Sequence, residues 1–410
     1  MLNVLNKVEY EEFMQMYPHI NFLHAWEELQ RKQEQGLQVE IVGMKEQDNY
    51  IAVAPIVYYP YFRKWRYAYS PRGILTDFEN KTVLQTFSDL LKKHLRDKKA
   101  VYLKIDPYVE YQERDCYGNI VENGFKRDDI MQNLFSCGYI HQGFSTGYSA
   151  NAQVRFMHTL SLKEKTEDIL LKEMTSTCRY SVLHSEYEGL TIQEVKRNEL
   201  ESLQELYEYM GDKNDFHVHD ISYLQGLYDH YKDKVVSYIA VLDVDVYWDS
   251  LEKEQKALEA KLAQYPEELS EKRKRKKKEV EIVYNSVCTK LEELKKYRSK
   301  SKSMILSGGT FLLFGKEVIY LMGGSYRDLK YLNASFAIQW KMIRYALHHG
   351  YDKYNFYGIN GVFDETCEDY GVLKFKQSFG GQAEELLGDF ELPIHKNKYR
   401  ITKFIRKIKK

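Results

Sequence analysis

Short runs in which apolar and polar side chains alternate, separated by segments in which apolar residues return every three or four positions, cover most of the 410 residues. Residues 38–44, 50–59, 65–69 and 100–105 read as strands. Residues 81–98 read as an amphipathic helix with Val83, Leu84, Phe87, Leu90, Leu91 and Leu95 on one face. Two shorter helical patterns, 8–17 and 22–36, precede them. Strands follow at 156–160, 190–195, 235–242, 304–313 and 317–322, with helices at 168–188, 198–209 and 334–349. Interleaving of this kind predicts an α/β (α+β) chain with mixed sheets and helices on their faces. The length predicts two or three subdomains.

Between 245 and 302 the pattern changes. This stretch has no Gly, one Pro (Pro266) and a dense mixture of Glu and Lys. Leu251, Leu258, Leu262 and Tyr265 are spaced for one helix seam, and Val280, Val283, Val287, Leu291 and Leu294 for a second. Together they predict an antiparallel helical coiled-coil arm inserted between two strands of one sheet, reaching roughly 30 Å. Arg273, Lys274, Arg275, Lys276, Lys277 and Lys278 gather near its tip. Such a cluster either touches an RNA backbone or remains a solvated coiled-coil surface.

Charge narrows the function classes. Sixty Lys and Arg balance sixty Asp and Glu, so any attraction to nucleic acid or membrane comes from local patches. Five cysteines lie far apart with neither zinc nor redox spacing, as in a reduced cytosolic chain. There is no P-loop, no GxSxG elbow and no metal box. No apolar leader opens the sequence, and no run of about 18 apolar residues predicts a membrane span. Residues 396–410 hold eight cations among spaced Ile and Phe. That tail suits adsorption to an anionic inner leaflet; RNA binding and plain solubility are its alternatives.

One stretch organises the candidate chemistry. An alternating run at 352–357 is broken by Gly358, Asn360 and Gly361, and a polar loop follows through Asp364, Glu365, Glu368 and Asp369. Residues 370–379 turn helical and stop at Gly380-Gly381. This strand, loop and helix deliver Lys376 to the carboxyl end of a sheet, where open α/β sheets place ligands.

Tyr354-Asn355-Phe356-Tyr357-Gly358-Ile359, Leu373-Lys374-Phe375-Lys376-Gln377-Ser378-Phe379-Gly380-Gly381 and Gly388-Asp389-Phe390 resemble the C-terminal signature of the Fem family. Tyr320-Leu321-Met322-Gly323-Gly324-Ser325-Tyr326-Arg327 and Gln339-Trp340 match upstream. The resemblance covers nearly the whole chain and looks closest to the streptococcal serine- and alanine-adding members. It implies two subdomains of the acetyltransferase (GNAT) type, at 1–150 and at 151–244 with 303–395, the arm at 245–302 and the basic tail at 396–410. It implies a non-ribosomal aminoacyltransferase at the inner face of a Gram-positive plasma membrane, moving Ala or Ser (Gly as a third choice) from aminoacyl-tRNA to the branch amine of lipid II or its branched form. No cofactor is implied. The alternatives are a tRNA- or lipid-binding protein of the same fold without transfer, and an acyltransferase using acyl-CoA.

The same resemblance carries residue roles. Phe375 and Lys376 fall on a family Phe-Lys pair assigned to transfer. The Lys376 cation would meet the ester oxygen or the tRNA terminus, and Phe375 would pack against it or stack on a base. Lys32, or Arg31, falls on a helix whose Lys binds the substrate diphosphate, although Glu28-Leu29 replaces the usual Trp-Gly there. Arg179 stands at a family Arg position on a basic helix. Lys213, before Phe216, replaces an Arg that helps hold phosphates, a point charge in place of a fork. Tyr320 and a Gly323-Gly324-Ser325 turn would line the substrate groove. The arm, with Arg273 to Lys277, resembles that of seryl-tRNA synthetase. Apart from the resemblance, Asp364, Glu365, Glu368 and Asp369 read first as a solvated acidic loop and second as a proton acceptor for the attacking amine, a task that a substrate phosphate or a tRNA hydroxyl could also take. His217 and His219 read as polar surface.

Overall fold

The period-two runs rich in Val, Ile, Tyr and Phe become strands, and the three-and-four runs become the helices that cover them. A computed structural model describes residues 1–62, 65–149, 152–214, 218–266, 270–367 and 369–408. Phe216, His217, Glu368, Lys409 and Lys410 lie outside the described residues.

Among the described residues, two mixed sheets of eight strands each carry the fold. Each contains a parallel pair joined by a crossover helix. In the first sheet Arg66–Ser70 and Ala100–Ile105 run parallel around helix Lys81–Asp97. In the second, Glu317–Ser325 and Lys353–Ile359 run parallel around helix Ala334–His348. Helix Lys81–Asp97 starts where the Asn80 side chain accepts from the Val83 amide, and it buries Leu84, Phe87, Leu91 and Leu95 against its sheet.

The halves are interlocked by exchanged strands. Glu110–Gln112 leaves the first segment to pair with Gln382–Leu386 in the second sheet. Phe390–Pro393 returns to pair with Ala100–Ile105 in the first. The boundaries expected at 150 and 395 therefore do not separate two independent sheets. The basic tail is helical from Lys396 to Ile408 and packs on the first sheet, burying Tyr399 and Thr402, with Arg406 on Glu391.

Three further expectations are corrected. The 168–188 helix is two helices, Glu167–Glu173 and Ser176–Leu183, because Met174 is extended and Thr175 caps the second through the Cys178 amide. The helix expected to end at 209 runs Glu201–Asn214. The Gly323-Gly324-Ser325 turn is strand, with Gly323 and Gly324 opposite Gly309 and Gly308. Those glycines let helix Glu201–Asn214 approach: a Cβ at Gly324 would sit 2.6 Å from Met210 Cγ, and one at Gly308 2.7 Å from Leu203 Cδ2.

Helices Val244–Ala263 and Glu271–Arg298 form the arm, inserted between the adjacent antiparallel strands Val235–Asp243 and Ser303–Phe314. Val280, Val287, Leu291 and Leu294 are its buried seam. Val283 is exposed instead, and Tyr284 reaches across to Glu259 at 2.9 Å. Among the described residues no helix is long and apolar enough to cross a membrane.

Candidate active site

The parallel strands Glu317–Ser325 and Lys353–Ile359 pair only from Glu317 to Ile319 against Lys353 to Asn355, and beyond that they part. Side chains alternate across the second strand. Tyr354 and Phe356 enter the core under the arm and helix Ala334–His348, while Tyr357 points to the opposite face, with Phe22, Leu203 and Leu227. There it lines a cavity of about 1020 Å³ between the two halves, near the carboxyl end of the strand.

Helix Trp26–Glu34 supplies the charged wall. Arg31 forks onto Glu28 at 2.9 and 2.8 Å, and Lys32 stands 3.6 Å from the same carboxylate. Arg31 also lies over the Tyr223 ring at 5.0 Å, and Tyr223 stacks on His219 at 4.4 Å. Burial pulls the Arg31 guanidinium down, but the Glu28 carboxylate outweighs it and holds it above its ordinary value. Gln204 Nε2 donates to Glu208 at 2.8 Å and to the His219 carbonyl at 3.0 Å, tying helix Glu201–Asn214 to this wall. Tyr59 and Tyr69 from the first sheet close the floor; burial pushes Tyr59 up to about 12.

Lys376 sits behind Tyr357 rather than in the cavity. It is 7 % exposed, and its Nζ donates to the Gly358 carbonyl at 2.7 Å. Burial lowers its pKa to about 7, opposed by the Asp369 carboxylate at the start of its helix. The lysine expected to present a cation to the ester is thus a buried amine held on the Gly358 carbonyl. His158 faces it on the same side; its Nε2 bonds the Gly380 carbonyl at 2.8 Å and its Nδ1 has no partner. Phe375 packs edge-on against Phe336 and Phe379, at 5.0 and 5.4 Å.

Several sequence candidates fall outside the cavity. Tyr320 stacks on Phe311 at 5.3 Å in the core. A bulge between Thr310 and Phe311 skips Leu321 in the register, so Leu321 and Met322 line the cavity in its place. Lys213 is exposed at the end of its lengthened helix, 5.8 Å from the Tyr209 ring, past the cavity-lining Glu208. Arg179 donates to the Leu171 carbonyl at 3.3 Å, in a helix beside that of Lys376, where the Thr175 amide bonds the Ser378 carbonyl. Arg273, Lys274, Arg275 and Lys276 are exposed on the arm, with Lys277 half-buried. Asp364 is occupied by the Thr366 amide at 2.9 Å.

Sequence reasoning missed Glu28, Tyr223 and Tyr357. Glu28 carried a signal: acids three and four residues before Arg31 and Lys32 pair with them on a helix. Tyr223 and Tyr357 carried none, because their approach depends on the packing of distant segments.

A second cavity of about 930 Å³ lies beside Tyr108, Glu317 and Lys353. There Lys353 Nζ bridges Glu317 and Glu384 at 2.8 and 3.0 Å, and Tyr108 donates to Glu317 at 3.0 Å. Those partnered charges join the two halves. Among the described residues no group of His, Cys, Asp and Glu is arranged to hold a metal ion.

Proteins similar to this chain are known. The model of the FemAB family matches residues 5–407. The aminoacyltransferase FemA of Staphylococcus epidermidis is 31% identical over 416 residues, covering 99% of both chains. FemA of Staphylococcus aureus is 30% identical over 414 residues, covering 99% of this chain and 98% of its own. The crystal structure of FemX superimposes with a TM-score of 0.76 at 23% identity, over 98% of this chain and 99% of that one, so the fold is shared.

Proposed function

Since the chain belongs to the FemAB family, we propose that this aminoacyltransferase moves Ala or Ser from aminoacyl-tRNA to the branch amine of lipid II, or of its branched form, in peptidoglycan cross-bridge synthesis. The observation that supports the reading is the hydrogen bond from the buried Lys376 Nζ to the carbonyl of Gly358, the residue after the cavity-lining Tyr357.

The acceptor takes the cavity, its phosphates on Arg31 and Lys32 and its amine toward Tyr357. The charged tRNA takes the opposite face, with Arg179 and the arm cations along its backbone. The amine attacks the ester carbonyl. A C–N bond forms, the C–O bond to the tRNA ribose breaks, and one proton must leave the nitrogen. An amine with a pKa near 7 accepts a proton at neutral pH, so Lys376 takes it and returns it to the leaving ribose oxygen. While protonated, it also stabilises the tetrahedral oxyanion. Phe375 fixes the lysine by packing. The reaction requires no cofactor. Its substrates place the enzyme at the inner face of a Gram-positive plasma membrane.

The test is transfer by purified protein from radiolabelled alanyl-, seryl- and glycyl-tRNA to bare and branched lipid II. Label on lipid II from alanyl- or seryl-tRNA supports the reading. Label from glycyl-tRNA alone corrects the amino acid, and binding without label assigns the chain to an accessory role.

A further inference from the structure

The packed tail helix presents a surface that neither the cavity nor the sheet uses. Its inner side is occupied by Tyr399 and Thr402 on the first sheet, and by Arg406 and Lys403, which hold Glu391. Its outer side carries Ile401 and Phe404, 47% and 65% exposed. Next to it the tip of the hairpin formed by strands Asn49–Pro60 and Arg66–Ser70 adds Phe62, 44% exposed, and a half-buried Trp65 with the Lys398 ammonium 5.8 Å from its ring. Lys396 and Arg400 are exposed on the same helix, and Lys396–Ile408 contains no Asp or Glu.

We propose that this helix and the hairpin tip form one docking face for an anionic lipid bilayer. Aromatic and aliphatic side chains framed by cations, with no acid among them, match the boundary between acyl chains and negative headgroups. An RNA backbone would use the cations and leave Ile401 and Phe404 without a role. A row of tyrosines runs from this face toward the cavity: Tyr399 on Tyr102 at 5.8 Å, Tyr102 on Tyr67 at 5.2 Å, and Tyr67 on the cavity-lining Tyr59 at 5.3 Å. That packing ties the docking face to the cavity wall, where the reading above puts a lipid-linked acceptor; the docking itself rests on the exposed side chains.

The experiment is co-sedimentation of the full chain with lipid II-free vesicles, of phosphatidylcholine alone or mixed with phosphatidylglycerol, at low and high salt. The expected result is salt-sensitive binding to the mixed vesicles. Partitioning falls roughly tenfold in Ile401→Ser/Phe404→Ser, and the preference for anionic lipid is lost in Lys396→Glu/Arg400→Glu. Unchanged melting temperatures show that the fold is kept. The proposal is overturned if the wild type ignores mixed vesicles, or if Ile401→Ser/Phe404→Ser binds them as the wild type does. It is likewise overturned if Lys396→Glu/Arg400→Glu weakens tRNA binding and leaves vesicle binding intact. Transfer to a water-soluble acceptor without the lipid should be unaffected by Ile401→Ser/Phe404→Ser. Loss of all transfer by the wild type would refute the transfer reading and leave the vesicle result standing.

Discussion

Lys376 donates from its Nζ to the carbonyl of Gly358 at 2.7 Å, and Gly358 follows Tyr357, whose side chain lines the cavity. One peptide unit thus joins a buried amine to the wall of a substrate-sized space. Burial costs the charged form of that amine and lowers its pKa from 10.5 to about 7.

The linkage to stability has a defined sign. Between about pH 7 and the unfolded value of 10.5 the unfolded chain holds a proton that the folded chain lacks. Wild-type stability should therefore rise with pH across that window, relative to Lys376→Met, by about 1.4 kcal/mol per pH unit, and run parallel to it below pH 7. Urea unfolding of both proteins across this range checks it. Parallel curves throughout would mean an ordinary lysine.

Glu28 holds Arg31 by two hydrogen bonds and Lys32 by charge. Glu28→Gln should lower stability by about 1–3 kcal/mol and, on the proposed phosphate-binding role of Arg31 and Lys32, raise the acceptor KM more than it lowers kcat, because the two cations lose their orientation. Chemical denaturation and initial rates against acceptor concentration measure the two effects separately.

Tyr320 belongs to the core. Tyr320→Phe should keep full transfer activity and change stability by less than about 0.5 kcal/mol, whereas Tyr320→Ala should cost about 3–5 kcal/mol. A Cβ at Gly323 would fall 1.8 Å from the Tyr320 hydroxyl, so Gly323→Ala should also lower the melting temperature. Loss of turnover in a stable Tyr320→Phe protein would return that hydroxyl to the site.

The arm cations are exposed, so replacing Arg273, Lys274, Arg275 and Lys276 by Gln should leave folding and acceptor KM alone. The KM for charged tRNA should rise, and its dependence on salt should flatten by about one unit of slope for each phosphate that is no longer neutralised. Unaltered tRNA kinetics at low salt would leave the arm as a solvated coiled coil.

Much of this fold was legible in the chain. Period-two runs marked the strands around both crossover helices, and the Gly-free, charge-dense stretch marked the arm. The exchanged strands were not legible, because Glu110–Gln112 is three residues long and pairs across a sequence gap of some 270 residues. The site was legible in part. The family resemblance pointed to Arg31 and Lys32, and both line the cavity. Tyr320 misled because a bulge re-aims its strand, and Lys213 because its helix does not stop at Gly211. The depth of Lys376 follows from the packing of Tyr370–Gln377 against strands Phe156–Ser161 and Lys353–Ile359, which no local pattern encodes.

The central claim is that Lys376 accepts the proton of the attacking amine, and the pH–rate profile of Lys376→Arg beside Lys376→Met addresses it most directly. Arg keeps the charge and cannot give up its proton. Wild-type kcat should rise with a limb near pH 7, and both variants should lose that limb and most of the turnover while remaining folded. A Lys376→Arg enzyme that kept the wild-type profile, or a Lys376→Met enzyme with unchanged turnover, would contradict the account.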